Sequence, residues 1–197
     1  MSGTAAAQYL DDDRSLHLRH YAPSSANAPK EVTVCTRWSK IVLVFSVALF
    51  SMLVVFNNLT DYGSNYAFVS HVLSMDTTFP GNNGMWRAIT RPFLHHVAYG
   101  IIMVNECVIS LLCWIGTCKL YRARAHASRF NQEKKLAICG LTLGIVLWFT
   151  GFLAIGGEWF FMWQSTTWNG QQAAFRLVAI LGIILVYLVM PDNDHDT

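Results

Sequence analysis

Four long apolar stretches dominate the chain after residue 37, and polar segments separate them. They cover about 38–57, 93–118, 136–161 and 172–190, and we call them spans one to four. With its flanks, each reaches the ~20 residues that a helix needs to cross the hydrocarbon core of a bilayer. Their apolar residues surround the helix instead of forming one stripe, which excludes a water-soluble helical bundle. The pattern predicts an all-α integral membrane protein with four transmembrane helices.

The polar segments define the rest of the organisation. Residues 1–36 have an acidic run at 11–13, many small residues and no apolar core, so they predict a flexible tail. The transmembrane domain is predicted over 37–191, followed by a short acidic tail, 192–197. A loop of about 30 residues, 60–91, joins spans one and two. Within it, apolar residues at helical spacing over 66–73 predict a short surface helix, and 77–84 predicts turns.

The distribution of positive charge predicts the orientation. Only 13% of the residues are charged, about half the share in soluble domains. Of the 14 Lys and Arg residues, five lie in the first 40 residues and six lie in 119–135. Cytoplasmic segments of membrane proteins carry such an excess, so both termini and the loop 119–135 are predicted to be cytoplasmic. The clustering is a topology signal and does not indicate nucleic-acid binding.

Span two contains a polar stripe around a central carboxyl group. At 100° per residue, six of its side chains fall within a sector of roughly 60°; they are His95, Tyr99, Glu106, Ser110, Cys113 and Thr117. A charge near the middle of a span costs ~3 kcal/mol, so Glu106 is expected to be protonated, paired or in contact with water. Two interpretations remain open: a hydrogen bond that joins two helices, and a proton relay.

Spans three and four predict two further features. Gly140, Gly144 and Gly151 share a face with Glu158 in a regular α-helix, and small residues allow a neighbouring backbone to approach closely. Arg176 lies one to two turns into span four, so an antiparallel hairpin brings it to the depth of Glu158. We therefore expect an ion pair between Glu158 and Arg176, because a partner lowers the cost of a charge in a span.

The outer third of the bundle is predicted to collect further polar groups into a basin. Its members are Asn57, Asn58, Asp61, His71, Asp76, His96, Gln164 and Asn169. The basin is interpreted first as a hydrogen-bond network that fixes the outer loops. The alternative is a site for a small polar or anionic ligand, a metal or a quinone headgroup.

No catalytic residue, metal site or cofactor is predicted from the sequence. Spans one, three and four contain no His, so a haem between two helices would need His71 of the loop together with His95 or His96. Haem and quinone are therefore the less favoured alternatives. His95 and His96 point about 100° apart on a helix, which argues against zinc. The five cysteines form no CxxC motif and fall in the tail or in the inner half, which argues against thiol oxidation.

Several polar motifs resemble those of a known family. They are Asn57-Asn58-Leu59-Thr60-Asp61-Tyr62, the run from His71 to Phe79, Gly156-Gly157-Glu158-Trp159-Phe160, Trp163-Gln164-Ser165 and Trp168-Asn169-Gly170-Gln171. Together they resemble a bacterial family of predicted small integral membrane proteins of unknown function, the DUF2165-type family. The resemblance covers about residues 38–190 and implies four spans in a bacterial inner membrane. It implies no catalytic residue.

The function predicted from these features is that of a non-catalytic, structural or accessory subunit of a larger inner-membrane complex. The expected partners are the lipid bilayer and other membrane subunits or further copies of the chain. One alternative is a small solute or proton transporter that uses Glu106 and the outer basin. A second alternative is a redox subunit that binds quinone or haem.

Overall fold

The structure, a computed structural model, describes residues 30–194, and this part of the chain is helical with no β-strand. The α-helices are α1 (Lys30–Thr60), α2 (Tyr62–Ser74), α3 (Pro92–Ala123), α4 (Ala127–Glu133), α5 (Lys135–Val146) and α6 (Gln171–Val189). A π-helix, Leu147–Trp159, continues α5, and we call it the π segment. Short 3₁₀ turns occur at Met85–Arg87 and Met162–Gln164.

Four helices are long and apolar enough to cross a membrane, as predicted. They are Val34–Thr60, Pro92–Ala123, Ala127–Trp159 and Gln171–Val189, and they correspond to spans one to four. Helix α1 begins at Lys30, so the predicted flexible tail is helical from that residue onward. Residues 1–29 and 195–197 of the predicted tails lie outside the described residues. The predicted surface helix is α2, which packs against α3 and buries Val69.

The spans pack in chain order around a shared apolar core. Helix α1 packs against α3, α3 against α5, and α5 with the π segment against α6. The contact that closes the ring, between α6 and α1, is much sparser. The start of span one and the described C-terminal end of the chain meet at one end of the bundle, where Nη2 of Arg37 donates to the carbonyl of Asn193 at 3.1 Å. We call this the terminal end, and the opposite end, with residues 60–91 and 161–170, the loop end.

Small residues set the spacing between the helices at three positions. A Cβ atom on Gly140 would lie 2.7 Å from Sγ of Cys113, and one on Gly144 would lie 2.9 Å from a methyl group of Leu181. At Gly116, which the sequence analysis did not single out, a Cβ atom would lie 2.9 Å from the backbone nitrogen of Ala137. Spans two and three therefore approach almost backbone to backbone, which larger residues would prevent.

The π segment changes the face that the outer part of span three presents. In a π-helix the hydrogen bonds run from i to i+5, so each residue turns the chain by less than in an α-helix. The segment ends in such a bond, from the N–H of Phe160 to the carbonyl of Ile155. The predicted packing face of span three therefore contacts neighbouring helices through Gly140 and Gly144 but does not continue to Gly151. Gly151 makes no close contact with another helix: the nearest atom to a Cβ there belongs to Leu147, one turn earlier, at 3.8 Å.

Candidate functional site

Glu106 is buried in span two and bonds to span one. Its Oε2 accepts a hydrogen bond of 2.5 Å from Nδ2 of Asn58. Two other stripe residues also reach α1: the hydroxyl of Tyr99 donates to the carbonyl of Asn58 at 3.3 Å, and that of Ser110 donates to the carbonyl of Ala48 at 3.4 Å. Hydrogen bonds between spans stabilise helix association. The polar face of α3 thus fastens spans one and two together.

The remaining stripe residues have other partners. His95 bonds the outer loop: Nε2 lies 2.7 Å from the carbonyl of Ile89, and Nδ1 lies 3.1 Å from the hydroxyl of Ser70. A carbonyl only accepts, so Nε2 carries a proton and donates to Ile89. Cys113 is fully buried beside Gly140. No direct hydrogen bond links His95, Tyr99 and Glu106 into a relay in residues 30–194.

A cleft of about 240 Å³ lies beside Glu106 in the sparse seam between α1 and α6. Its walls are mostly apolar; they are Ser46, Val47, Phe50, Ser51 and Val54 of α1, Glu106 and Ile109 of α3, Gly144 of α5, Trp148 of the π segment, and Leu177, Ile180, Leu181 and Ile184 of α6. Phe50 and Ile180 at its rim are also exposed on the outside of the bundle. The cleft therefore opens sideways, toward the space that lipid occupies in a membrane.

The predicted ion pair between Glu158 and Arg176 does not form. Both side chains are exposed, and neither has an ion-pair partner within residues 30–194. The prediction assumed a regular α-helix as far as Glu158, whereas the π segment turns that residue to another face. Spans three and four therefore each present an unpaired charge on the surface of the bundle toward the loop end.

The predicted outer basin is divided into separate clusters in the structure. On one side, Tyr62 bonds Nδ1 of His96 at 2.7 Å, and the rings of Tyr66 and His96 stack at 4.2 Å. The side chain of Asn58 donates to Glu106 and takes no part in this cluster, while Asn57 and Asp61 are exposed. These contacts hold α2 against α3.

The second cluster fastens the outer loop to the turn between spans three and four. Nδ1 of His71 lies within hydrogen-bond distance of a carboxyl oxygen of Asp76, at 2.8 Å, and the His71 ring stacks on Trp168 at 4.6 Å. Gln164 accepts a hydrogen bond of 3.0 Å from the backbone N–H of Phe79, and the hydroxyl of Thr77 donates to that of Ser165 at 2.8 Å. The predicted member Asn169 bonds only the N–H of Gln171, two residues away.

None of these polar groups lines the apolar cavity beneath α2. The cavity beneath α2, about 230 Å³, has apolar walls from α2, α3 and the π segment, among them Val69, Ile102 and Phe152. Within the described chain, no group of three or more His, Cys, Asp or Glu side chains could hold a metal ion. The hydrogen bonds of Thr77 and Gln164 connect the outer loop to the turn between spans three and four.

Arg87 forms a further loop-end contact that the sequence analysis missed. Its guanidinium carbon lies 4.8 Å from the ring centroids of both Trp159 and Phe161, and 5.3 Å from that of Trp86. Its Nη1 donates to the carbonyl of Trp159 at 3.3 Å. A cation over aromatic faces is favourable, so Arg87 ties the outer loop to the end of the π segment.

The terminal end is closed by an ionic cluster that we call the terminal clamp: Lys40, Lys134 and Asp192. Nζ of Lys40 and Nζ of Lys134 lie 2.7 Å and 2.6 Å from Oδ2 of Asp192. The three side chains are only 1%, 4% and 2% exposed. Both amino groups also donate to the carbonyl of Met190, at 2.7 Å and 2.8 Å. The clamp joins spans one, three and four.

A second set of contacts surrounds the clamp and extends it to span two. The buried guanidinium group of Arg37 pairs with Asp194 and donates to the carbonyl of Arg124 at 3.1 Å. The backbone N–H of Ala127 donates to Asp194 at 2.7 Å. This N–H, and then the Arg37 guanidinium, lower the pKa of Asp194, so its carboxylate stays charged near neutral pH. The predicted acidic tail is thus a folded element as far as Asp194.

The fold and its contacts define a multi-pass integral membrane protein with four spans and fastened ends. A family model described as a predicted small integral membrane protein (DUF2165) matches residues 36–191. The chain belongs to this family, which is the family that its polar motifs resemble. No curated protein and no solved structure matches the chain.

Proposed function

We propose that the protein is a non-catalytic accessory subunit of a larger complex in the bacterial inner membrane. The carrying observation is the pair of unpartnered charges, Glu158 and Arg176, on the surface of spans three and four. By contrast, three ionisable side chains of span two, His95, His96 and Glu106, bond groups within the chain. An exposed charge in a span is costly, and a charged or polar group on another membrane protein would lower that cost.

The fastened ends of the bundle also support an accessory role. A transporter that works by alternating access opens each end in turn. Here the terminal clamp holds one end, and the Arg87 contacts with the His71 and Gln164 cluster hold the other. Such a bundle suits a rigid subunit that presents a fixed surface to a partner.

Site-specific photocrosslinking in intact cells tests the proposal. A photoreactive residue at Phe175, which is exposed beside Arg176, is expected to capture a membrane protein, and a matched residue at Leu111, exposed on span two, to capture less. The same cross-link should weaken when Arg176→Gln is added and persist with Arg176→Lys, because Lys keeps the charge. A protein that runs as a monomer in mild detergent and gives equal cross-links at both positions would contradict the accessory role.

We further propose that the terminal end faces the cytoplasm, as the positive charge of the tail and of 119–135 predicts. Ser128 lies at the terminal end and Thr166 at the loop end, and both are exposed. In a variant without native cysteines, Thr166→Cys should react with an impermeant thiol reagent in spheroplasts. Ser128→Cys should react only after the membrane is opened. Labelling of Ser128→Cys in intact spheroplasts would reverse the orientation.

A further inference from the structure

We propose that the cleft between spans one and four binds a lipophilic amine from the membrane, with the ammonium group on Glu106. This inference stands apart from the accessory role, because it concerns the seam of the bundle and not the surface around Glu158 and Arg176. It makes the protein a binder of cationic amphiphiles.

The position of the cleft allows a ligand to enter from the lipid. Contacts between α1 and α6 are sparse along this seam, while the terminal clamp and the bond between the Ser39 and Tyr187 hydroxyls, at 2.6 Å, close it at the terminal end. The volume of about 240 Å³ is slightly below the ~300–1,000 Å³ of ordinary ligand pockets. The polar head and the first part of a chain fit inside, and the remaining chain extends between Phe50 and Ile180 into lipid.

Two polar groups in the cleft keep hydrogen-bonding capacity for a ligand. Glu106 is 5% exposed, and only its Oε2 has a partner, Asn58. Its second carboxyl oxygen bonds no protein group in the described chain. This oxygen is not fully enclosed by the protein. Ser51 is 8% exposed, lines the same cleft, and its hydroxyl has no hydrogen-bond partner in residues 30–194. Because neither group is fully enclosed, each can accept a hydrogen bond from a donor that enters the cleft.

The charge of the site selects the ligand class. Glu106 is the single ionisable side chain among the residues that line the cleft, and no Lys, Arg or His there balances its charge. A carboxylate in a medium of low dielectric is stabilised most by a cation that also donates hydrogen bonds. A primary ammonium has three such donors, enough for Glu106 and Ser51 together. An alcohol supplies a hydrogen bond without the charge, and a carboxylate is repelled.

The test compares three ligands that share one alkyl chain. The wild-type protein in phosphatidylcholine nanodiscs is titrated with radiolabelled dodecylamine, dodecanol and dodecanoate, and binding to empty nanodiscs is subtracted. We expect saturable binding of the amine, about tenfold or more tighter than that of the alcohol, and none of the carboxylate. Equal binding of amine and alcohol, or no saturable amine binding, would overturn the proposal.

Variants then assign the binding to the cleft. Glu106→Gln keeps the carbonyl that accepts from Asn58 but loses the charge, so amine affinity should fall about tenfold or more. Asp61→Asn is the matched control, since it removes an exposed carboxyl outside the cleft and should leave affinity unchanged. Val54→Trp fills the cleft and should block the amine without touching Glu106. Full amine affinity in folded Val54→Trp would refute the location, even where Glu106→Gln gives too little folded protein to assay.

Discussion

Asp192→Asn is expected to lower the free energy of unfolding by about 3–5 kcal/mol, because it leaves two buried ammonium groups without a counter-charge. Lys40 and Lys134 both depend on this carboxylate, and neither side chain is more than 4% exposed. The asparagine keeps the size of the side chain, so the loss reports the charge and not a cavity. Unfolding by SDS titration in mixed micelles, followed by circular dichroism, measures it.

Glu133→Gln provides the matched control for the terminal clamp. Glu133 pairs with Lys119 at 3.1 Å, but these two side chains are 32% and 45% exposed. Exposed ion pairs contribute ~0–1 kcal/mol, so this variant should unfold close to wild type. Lys40→Met combined with Asp192→Asn should cost less than the sum of the single changes. Equal losses for Asp192→Asn and Glu133→Gln would show that burial of Asp192 does not matter.

Glu106→Leu is expected to be the most harmful change within the spans. It leaves Nδ2 of Asn58 without its acceptor inside the bundle, which costs about 1–3 kcal/mol. Glu106→Gln should fold and assemble normally, because its amide carbonyl accepts the same bond. The yield, the monodispersity in detergent and the midpoint of SDS unfolding are compared between the wild type, Glu106→Leu and Glu106→Gln.

A paired variant separates the hydrogen bond from other effects of Glu106→Leu. When both partners become apolar, no polar group is left unsatisfied, so Asn58→Leu with Glu106→Leu should recover most of the lost stability. A double variant no more stable than Glu106→Leu would show that Glu106 acts through other contacts. Normal assembly of Glu106→Gln with loss of a proton-driven flux would instead favour the transporter alternative, because an amide cannot titrate.

The sequence predicts the architecture well because membrane insertion depends on properties that are read locally. Each span is a continuous apolar stretch of sufficient length, and the bilayer imposes a helix on it. The apolar spacing within 66–73 likewise predicts α2, since that helix buries one side, around Val69. The spans and α2 can therefore be predicted without knowing which helices become neighbours.

Contacts between distant segments are predicted less well. The Glu158–Arg176 prediction depended on 100° per residue through span three, and no proline or charge in the sequence signals the change at Leu147. The terminal clamp was missed because Lys40 and Lys134 were interpreted only as topology signals, and Asp192 as part of a solvated tail. One signal was available in the sequence. Because both termini are predicted on the same side of the membrane, the basic start of span one and the acidic end of span four lie at the same depth, where they can form an ion pair.

The order of the clamp residues along the chain has a consequence for biogenesis. Lys40 is synthesised first, Lys134 about a hundred residues later, and Asp192 only after the whole of span four. The two lysines therefore wait in the growing chain without their common carboxylate while three spans enter the membrane. The seam between spans one and four is the last to close, so a lipid or a partner helix has access to it until Asp192 leaves the ribosome and reaches the two lysines.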